Sequence, residues 1–319
     1  MRQLVWLVFL LFVPPSEAQE YPSKPIRILV PFAPGGAVDT STRILTQKMS
    51  ERLGWNFVVE NRPGGNGFIA TTAVQKSAPD GYTLLMAHTG EFAVNPALFD
   101  NVPYELERDF VPITMVSDAP MLYLANSAAP FNNFQELVAV AKAKPGAITF
   151  SSAGNGSINH LAGEWLAQAA GIQLVHVPYK GGAPAAAAVA AGDVHFGVMA
   201  APGAIPHIKS GRGKVIGITT AKKSPLDPSW ATPRDAGIPD LDASIWVGLF
   251  APKGTPQAIV DRVNAEVRQT LNSPEVQKRF VESAGAEAVW MTPAEFLARI
   301  KNDAERYKRV VQKAGVKPG

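Results

Sequence analysis

Apolar positions along the chain fall into two rhythms, short uninterrupted runs and stripes at helical spacing. Residues 26–30, apolar but for Arg27, form a run closed by Pro31, which predicts a strand. Ile44, Leu45, Met49 and Leu53 then recur at helical spacing until Gly54 stops them. The pattern continues with a strand over 57–59, a helix over 66–77 and a strand over 82–87. In the middle of the chain it predicts strands over 121–125, 148–151, 175–177, 195–199 and 215–220. Between them lie helices over 134–143 and 183–191, and one carrying Leu161, Trp165, Leu166 and Ala169 on a single face. After a strand over 245–251, the tail carries two stripes. Ile259, Val260, Val263, Val267 and Leu271 mark the first, and Phe296, Ile300, Ala304, Tyr307 and Val311 the last. Alternating strands and helices indicate a parallel sheet with helices on its faces, an α/β protein.

The start of the chain reads differently. Arg2 precedes an unbroken apolar run of ten, Leu4 to Val13, and Pro14-Pro15 ends it. Ser16-Glu17-Ala18 then places small residues as at a cleavage site, so residues 1–18 read as a secretory signal peptide cut near Ala18. The run is shorter than the roughly 20 residues a membrane-spanning helix needs.

Composition removes several classes of function. The 319 residues are 46% hydrophobic and 18% charged, which argues against disorder. Thirty basic against 27 acidic residues give a net charge of +3, with no run suited to nucleic acid. Cysteine is absent, which excludes disulfides, thiolate metal sites and a cysteine nucleophile. The five histidines show neither the HExxH pattern nor a helical i,i+4 pair, so no metal site is expected. No dinucleotide fingerprint, phosphate-binding loop or GxSxG elbow is complete.

What remains are two glycine-rich turns, each leaving a strand and entering a helix. One is Val30-Pro31-Phe32-Ala33-Pro34-Gly35-Gly36, followed by Asp39. The other is Ser151-Ser152-Ala153-Gly154-Asn155-Gly156-Ser157, followed by His160. Helix N-termini present unpaired N–H groups and partial positive charge, and glycine lets a ligand approach that backbone. Such turns suit an anion without any Lys or Arg. Plain turn chemistry explains either turn equally well when taken alone. Ser157 and His160 could also be a nucleophile and its base, although Ser157 reads better as an N-cap or ligand donor. His160 beside a helix start suits a neutral donor, and the other histidines read as ordinary strand or surface residues.

These stretches, with Tyr21-Pro22-Ser23-Lys24-Pro25, Val59-Glu60-Asn61-Arg62-Pro63-Gly64, Ala78-Pro79-Asp80-Gly81-Tyr82, Asn95-Pro96-Ala97-Leu98, His176-Val177-Pro178-Tyr179-Lys180-Gly181-Gly182 and Gly248-Leu249-Phe250-Ala251-Pro252-Lys253-Gly254, carry a resemblance. The sequence resembles the extracytoplasmic solute-binding proteins of tripartite tricarboxylate transporters, the Bug group. The resemblance spans nearly the whole chain after the signal peptide.

It implies a type II periplasmic-binding-protein fold, two α/β domains joined by crossing strands with a ligand cleft between them. Domain 1 is expected over 20–122 and 250–319, and domain 2 over 123–249. The implied function is a periplasmic receptor, a monomer, that captures a small carboxylate such as a dicarboxylate or an aromatic acid. It would deliver that ligand to membrane subunits of the transporter, with no enzymatic activity, no cofactor and no nucleic-acid partner. A sensor for a signalling partner, or a periplasmic hydrolase using Ser157 and His160, are the alternatives. Carried over by position, the ligand contacts are Phe32, Ala33, Gly35, Gly36, Asp39, Thr89, Gly90, Ser152, Gly154, Gly156, Ser157, His160, Tyr179, Gly181 and Met199, with Gly182 alongside. Two positions depart from the pattern. Met199 stands where such proteins often carry an Asp, which shades the ligand away from amino acids. Glu91 stands where a small polar residue is common, and is expected to point to solvent as most glutamates do; the alternative is that it enters the cleft, where an ionised carboxylate would repel a second carboxylate or favour a cation.

Overall fold

The computed structural model describes residues 21–238 and 241–316; the segment expected to be a signal peptide lies outside the described residues. The elements run β1 (Ile26–Val30), α1 (Ala37–Leu53), β2 (Phe57–Asn61), α2 (Phe68–Gln75) and β3 (Thr83–His88). A π-helical turn, Gly90–Val94, leads into the short helices α3 (Asn95–Leu98) and α4 (Leu106–Asp109). Then come β4 (Phe110–Asn126), α5 (Phe134–Ala143), β5 (Ile148–Ser152), α6 (Ile158–Ala170), β6 (Leu174–Pro178), α7 (Gly182–Ala191), β7 (Phe196–Ala200), α8 (Ala201–Lys209) and β8 (Gly213–Ile218). The chain ends with β9 (Ser244–Pro252), α9 (Gln257–Leu271), α10 (Pro274–Arg279), a π-helical turn Phe280–Ala284, β10 (Glu287–Ala288) and α11 (Pro293–Ala314).

The predicted strands and long helices recur at their expected places. Each helix end has a local cause. α1 stops because Gly54 takes a left-handed conformation at φ 69°, where its N–H reaches Ser50 O. α11 begins with a capping box between Thr292 and Glu295. One expectation needs correction. The strand over 121–125 is the second half of the 17-residue β4, which starts at Phe110. Pro112 is tolerated because the pairing register with β9 shifts just after it. Helix α8, for which no element was expected, carries Pro202, Gly203 and Pro206; it forms where Pro202 fits the first turn.

Among the described residues, all ten strands join one mixed sheet with central order β2-β1-β3-β9-β4-β7-β5-β6. The long β4 belongs to both halves, and the pairing directions fix the geometry of the middle. β1, β2 and β3 are parallel to one another, and β3 runs antiparallel to β9, which runs antiparallel to β4. β7 runs antiparallel to β4 and parallel to β5 and β6 through β5. The carboxyl ends of the two parallel sets therefore point toward each other along β4. β3 ends at His88, level through Val247 with Ser117, and β7 ends at Ala200, level with Met121. Four residue steps along β4 separate these levels, roughly 13 Å at the usual rise. Loops leaving the carboxyl ends of both sets project over that gap, the place where open α/β sheets take ligands.

Behind the gap each half is packed by buried side chains. Trp246 of β9 is fully buried, edge-on to Phe296 of α11, and its indole N–H donates to Asp303 Oδ2 at 3.0 Å. Asp303 also accepts from Arg299, which reaches Asp118 of β4 at 3.3 Å. A second apolar cluster, including Leu122, Leu124, Val189, Met199 and Ala204, packs α7 and α8 onto the other half of the sheet.

Candidate functional site

Both glycine-rich turns emerge over the gap. In the first, Ala33, Pro34 and Gly35 are exposed and Phe32 is half-buried. α1 starts from Gly36 with no side chain capping it, so its first N–H groups stay unpaired by the protein. Asp39 sits inside the turn. Its carboxylate is buried and accepts from Gly35 N–H at 2.9 Å, Asn61 Nδ2 at 2.9 Å and Arg43 Nε at 3.0 Å. Asn61 also donates to Phe32 O. Burial pushes the Asp39 carboxyl up, but the hydrogen bonds from Arg43, Gly35 and Asn61 outweigh it and hold it below the usual range. Asp39 was expected to meet the ligand; here its oxygens are spent bracing the turn, together with Asn61 and Arg43, which sequence reasoning passed over.

The second turn is bonded more densely. Ser157 caps α6: its Oγ accepts from His160 N–H at 3.2 Å and donates to Gly154 O at 2.7 Å. His160 Nδ1 accepts from Gly156 N–H at 3.1 Å, which places the proton of a neutral ring on Nε2. The Ser157 hydroxyl and the His160 ring share no hydrogen bond, so the base of a nucleophile–base pair is not in place. Ser152 Oγ lies 2.6 Å from His176 Nε2, and the His176 ring stacks on His160 at 3.7 Å between centroids. The next loop is laced to this turn, with Tyr179 N–H on Ser152 O and Gly181 N–H on Ala153 O. Gly181 then begins α7, again with no side-chain cap.

The segment after β3 touches both turns. The His88 ring lies 4.4 Å from the Phe32 ring, and Leu98 packs directly over Gly156, where a Cβ would collide with it. Three expected contact residues are nonetheless withdrawn from this surface. Thr89 is fully buried, bonded to Ser244 O at 3.2 Å and to Trp246 N–H at 3.0 Å, because it ties the end of β3 to β9. Gly90 is buried beneath the His88 ring, which would clash with any Cβ there. Met199 is fully buried because its side of β7 faces the core under α7 and α8. Glu91, expected in solvent, is fully buried too, with Oε2 2.8 Å from His88 N–H and 2.9 Å from His88 Nδ1. His88 and His176 are the residues that sequence reasoning missed, and no local pattern marks either.

His176 makes stability sensitive to acid. Burial, helped by nearby His160, lowers its imidazole to about 4. The unfolded chain takes up that proton near 6.5 and the native ring does not, so stability falls as pH drops from about 6.5 to about 4. For a half-buried ring, urea denaturation is expected to lose about 1 kcal/mol between pH 7 and pH 5 through this group. His176→Gln should flatten that slope; equal slopes in both proteins would contradict the assignment.

Comparison with known proteins places this architecture. Residues 41–316 match the tripartite tricarboxylate transporter family receptor. Protein BugT of Bordetella pertussis is 34% identical over 304 residues, covering 95% of this chain and 93% of BugT. Among solved structures, R. palustris Rpa4515 with adipate superposes with a TM-score of 0.89 at 30% identity, over 94% of this chain and 100% of that one. MatC (Rpa3494) from Rhodopseudomonas palustris with bound malate gives 0.83 at 31% identity, over 91% and 100%.

Proposed function

This chain belongs to the tripartite tricarboxylate transporter receptor family, and from that premise we propose that it is a periplasmic solute-binding receptor that captures a small carboxylate between the two halves of its sheet. The observation that carries the proposal is the convergence over one gap of two glycine-led helix starts, α1 and α7, with no side-chain cap. Their free N–H groups and dipoles favour an anion without a cationic side chain. The ligand-bound relatives support this reading, one holding adipate and the other malate.

In this reading Phe32, Ala33, Gly35 and Gly36 grip the ligand from one side. From the other come Ser152, Gly154, Gly156, Ser157, His160, Tyr179 and Gly181. The moving bodies are residues 20–122 with 250–319, and 123–249, flexing where β4 and β9 cross. Ligand contacts to both bodies favour the closed form, whose surface is offered to membrane subunits of the transporter. The protein works without catalysis. It reaches the periplasm by its first 18 residues, which are removed near Ala18. No helix among the described residues is long and apolar enough to cross a membrane.

A thermal-shift screen of the chain from residue 19 onward tests this. Succinate, malate, adipate, citrate, benzoate and amino acids form the set. A true ligand at 100 times its dissociation constant should add about 2.7 kcal/mol, a shift of several degrees. No shift with any carboxylate, in protein unfolded and refolded to release carried-over ligand, would overturn the reading.

A further inference from the structure

At the carboxyl end of β3 the surface belongs to His88. Its ring covers Gly90, lies against Phe32 of the first turn, and keeps its side chain 13% exposed. Nδ1 faces inward, where it meets Gly90 N–H at 2.9 Å and Glu91 Oε2 at 2.9 Å. Nε2 has no hydrogen-bond partner among the described residues and is absent from their buried unpaired atoms, so it reaches the surface.

The protonation of Nδ1 decides what Nε2 offers. With Nδ1 accepting from Gly90 N–H, a neutral ring carries its proton on Nε2. With Glu91 ionised and the ring cationic, both nitrogens carry protons. In both of these forms Nε2–H is a donor at the surface beside Phe32; with the proton on Nδ1 and given to Glu91 Oε2, Nε2 is an acceptor instead. Glu91 is unusual in its own right. It is fully buried, its Oε1 has no partner, and room for that oxygen exists only because Gly67 lacks a Cβ. A buried carboxylate with a vacant oxygen is costly unless the neighbouring ring compensates it. It makes the His88 donor a strong one toward an anionic acceptor.

We propose that His88 is a specificity-determining residue, its Nε2–H receiving a second carboxylate of a ligand whose first is held by the helix starts, with Glu91 as the residue that positions it. The proposal rests on the receptor reading above and adds to it a residue that discriminates between acids.

The test compares adipate with hexanoate, acids of equal chain length differing by one carboxylate, by calorimetric titration. The original chain should bind adipate at least about tenfold more tightly, the scale of one charge-assisted hydrogen bond. His88→Phe keeps a ring against Phe32 and over Gly90 but removes the donor, so the adipate-to-hexanoate ratio should fall toward one. His88→Gln restores a donor and should recover part of the ratio. Glu91→Gln, of equal shape, should narrow the ratio as well, whereas a merely structural role would weaken both acids alike. An unchanged ratio in His88→Phe, or a preference for hexanoate in the original chain, overturns this inference and leaves the receptor reading standing. Failure of the original chain to bind any acid of the earlier screen removes the receptor reading itself, and this inference with it.

Discussion

Trp246→Ala is expected to cost about 3–5 kcal/mol, the range for emptying a fully buried tryptophan site. Three effects add. The cavity opens between Phe250 and Phe296, whose rings lie 6.5 and 5.2 Å from the indole. The Asp303 carboxylate loses its indole donor, though Arg299 still holds it at 2.8 Å. The loss also falls where the Thr89 hydroxyl binds the Trp246 backbone, at the junction of β3 and β9. For a chain of this size that lowers the melting temperature by roughly 2 °C per kcal/mol. Trp246→Phe keeps much of the volume and should cost about a third as much, which separates packing from the hydrogen bond. Denaturant titration of both variants decides it; a loss under 1 kcal/mol for Trp246→Ala would mean that α11 is not anchored to β9 here.

Asp39→Ala combines a stability effect with a functional one. It strands the Gly35 N–H, Asn61 and Arg43 donors, of which Arg43 is half exposed and rehydrates easily. The expected cost is about 2–3 kcal/mol. Losing the brace also frees the first turn, so affinity for a carboxylate should fall by tenfold or more, since a site must be held rigid to keep its donors aligned. Asp39→Asn offers one acceptor oxygen but turns an amide toward Asn61 or Arg43, and should lie between. The acid limb adds a check. The native Asp39 carboxyl titrates below its usual 3.8, so its contribution is complete above that value and is lost as pH falls through the lower native one. The variants should therefore lose less stability than the original chain on acidification below about 4. Full carboxylate affinity in Asp39→Ala would show that the first turn needs no brace.

How much of this was readable in advance depended on whether a signal was local. α1 was legible because its apolar stripe ends at a glycine that must go left-handed. The turns were legible because glycine at a strand-to-helix junction has few other uses. The first half of β4 was not, since Pro112, Ser117, Asp118 and Pro120 look like loop residues. They become strand only because β9 supplies partners from far along the chain. Burial of Glu91 was equally hidden, since it depends on His88 three residues back and on the space left by Gly67. Periodicity reports which face of an element is apolar. It does not report that a histidine will fold back over a glycine, which is why the surface assigned to Thr89 and Gly90 belongs to His88.

Strands β1 to β3 are complete within the first 88 residues, yet the open side of β3 has no neighbour until β9 has been made. Thr89 and its partner Ser244 lie 155 positions apart. β5, β6 and β7, by contrast, find one another between residues 148 and 200. During synthesis the portion made first is thus among the last to become native, and pairing over such separations is slow. A fragment ending before residue 244 would leave the edge of β3 bare beside a buried apolar run, free to add strands from neighbouring chains instead.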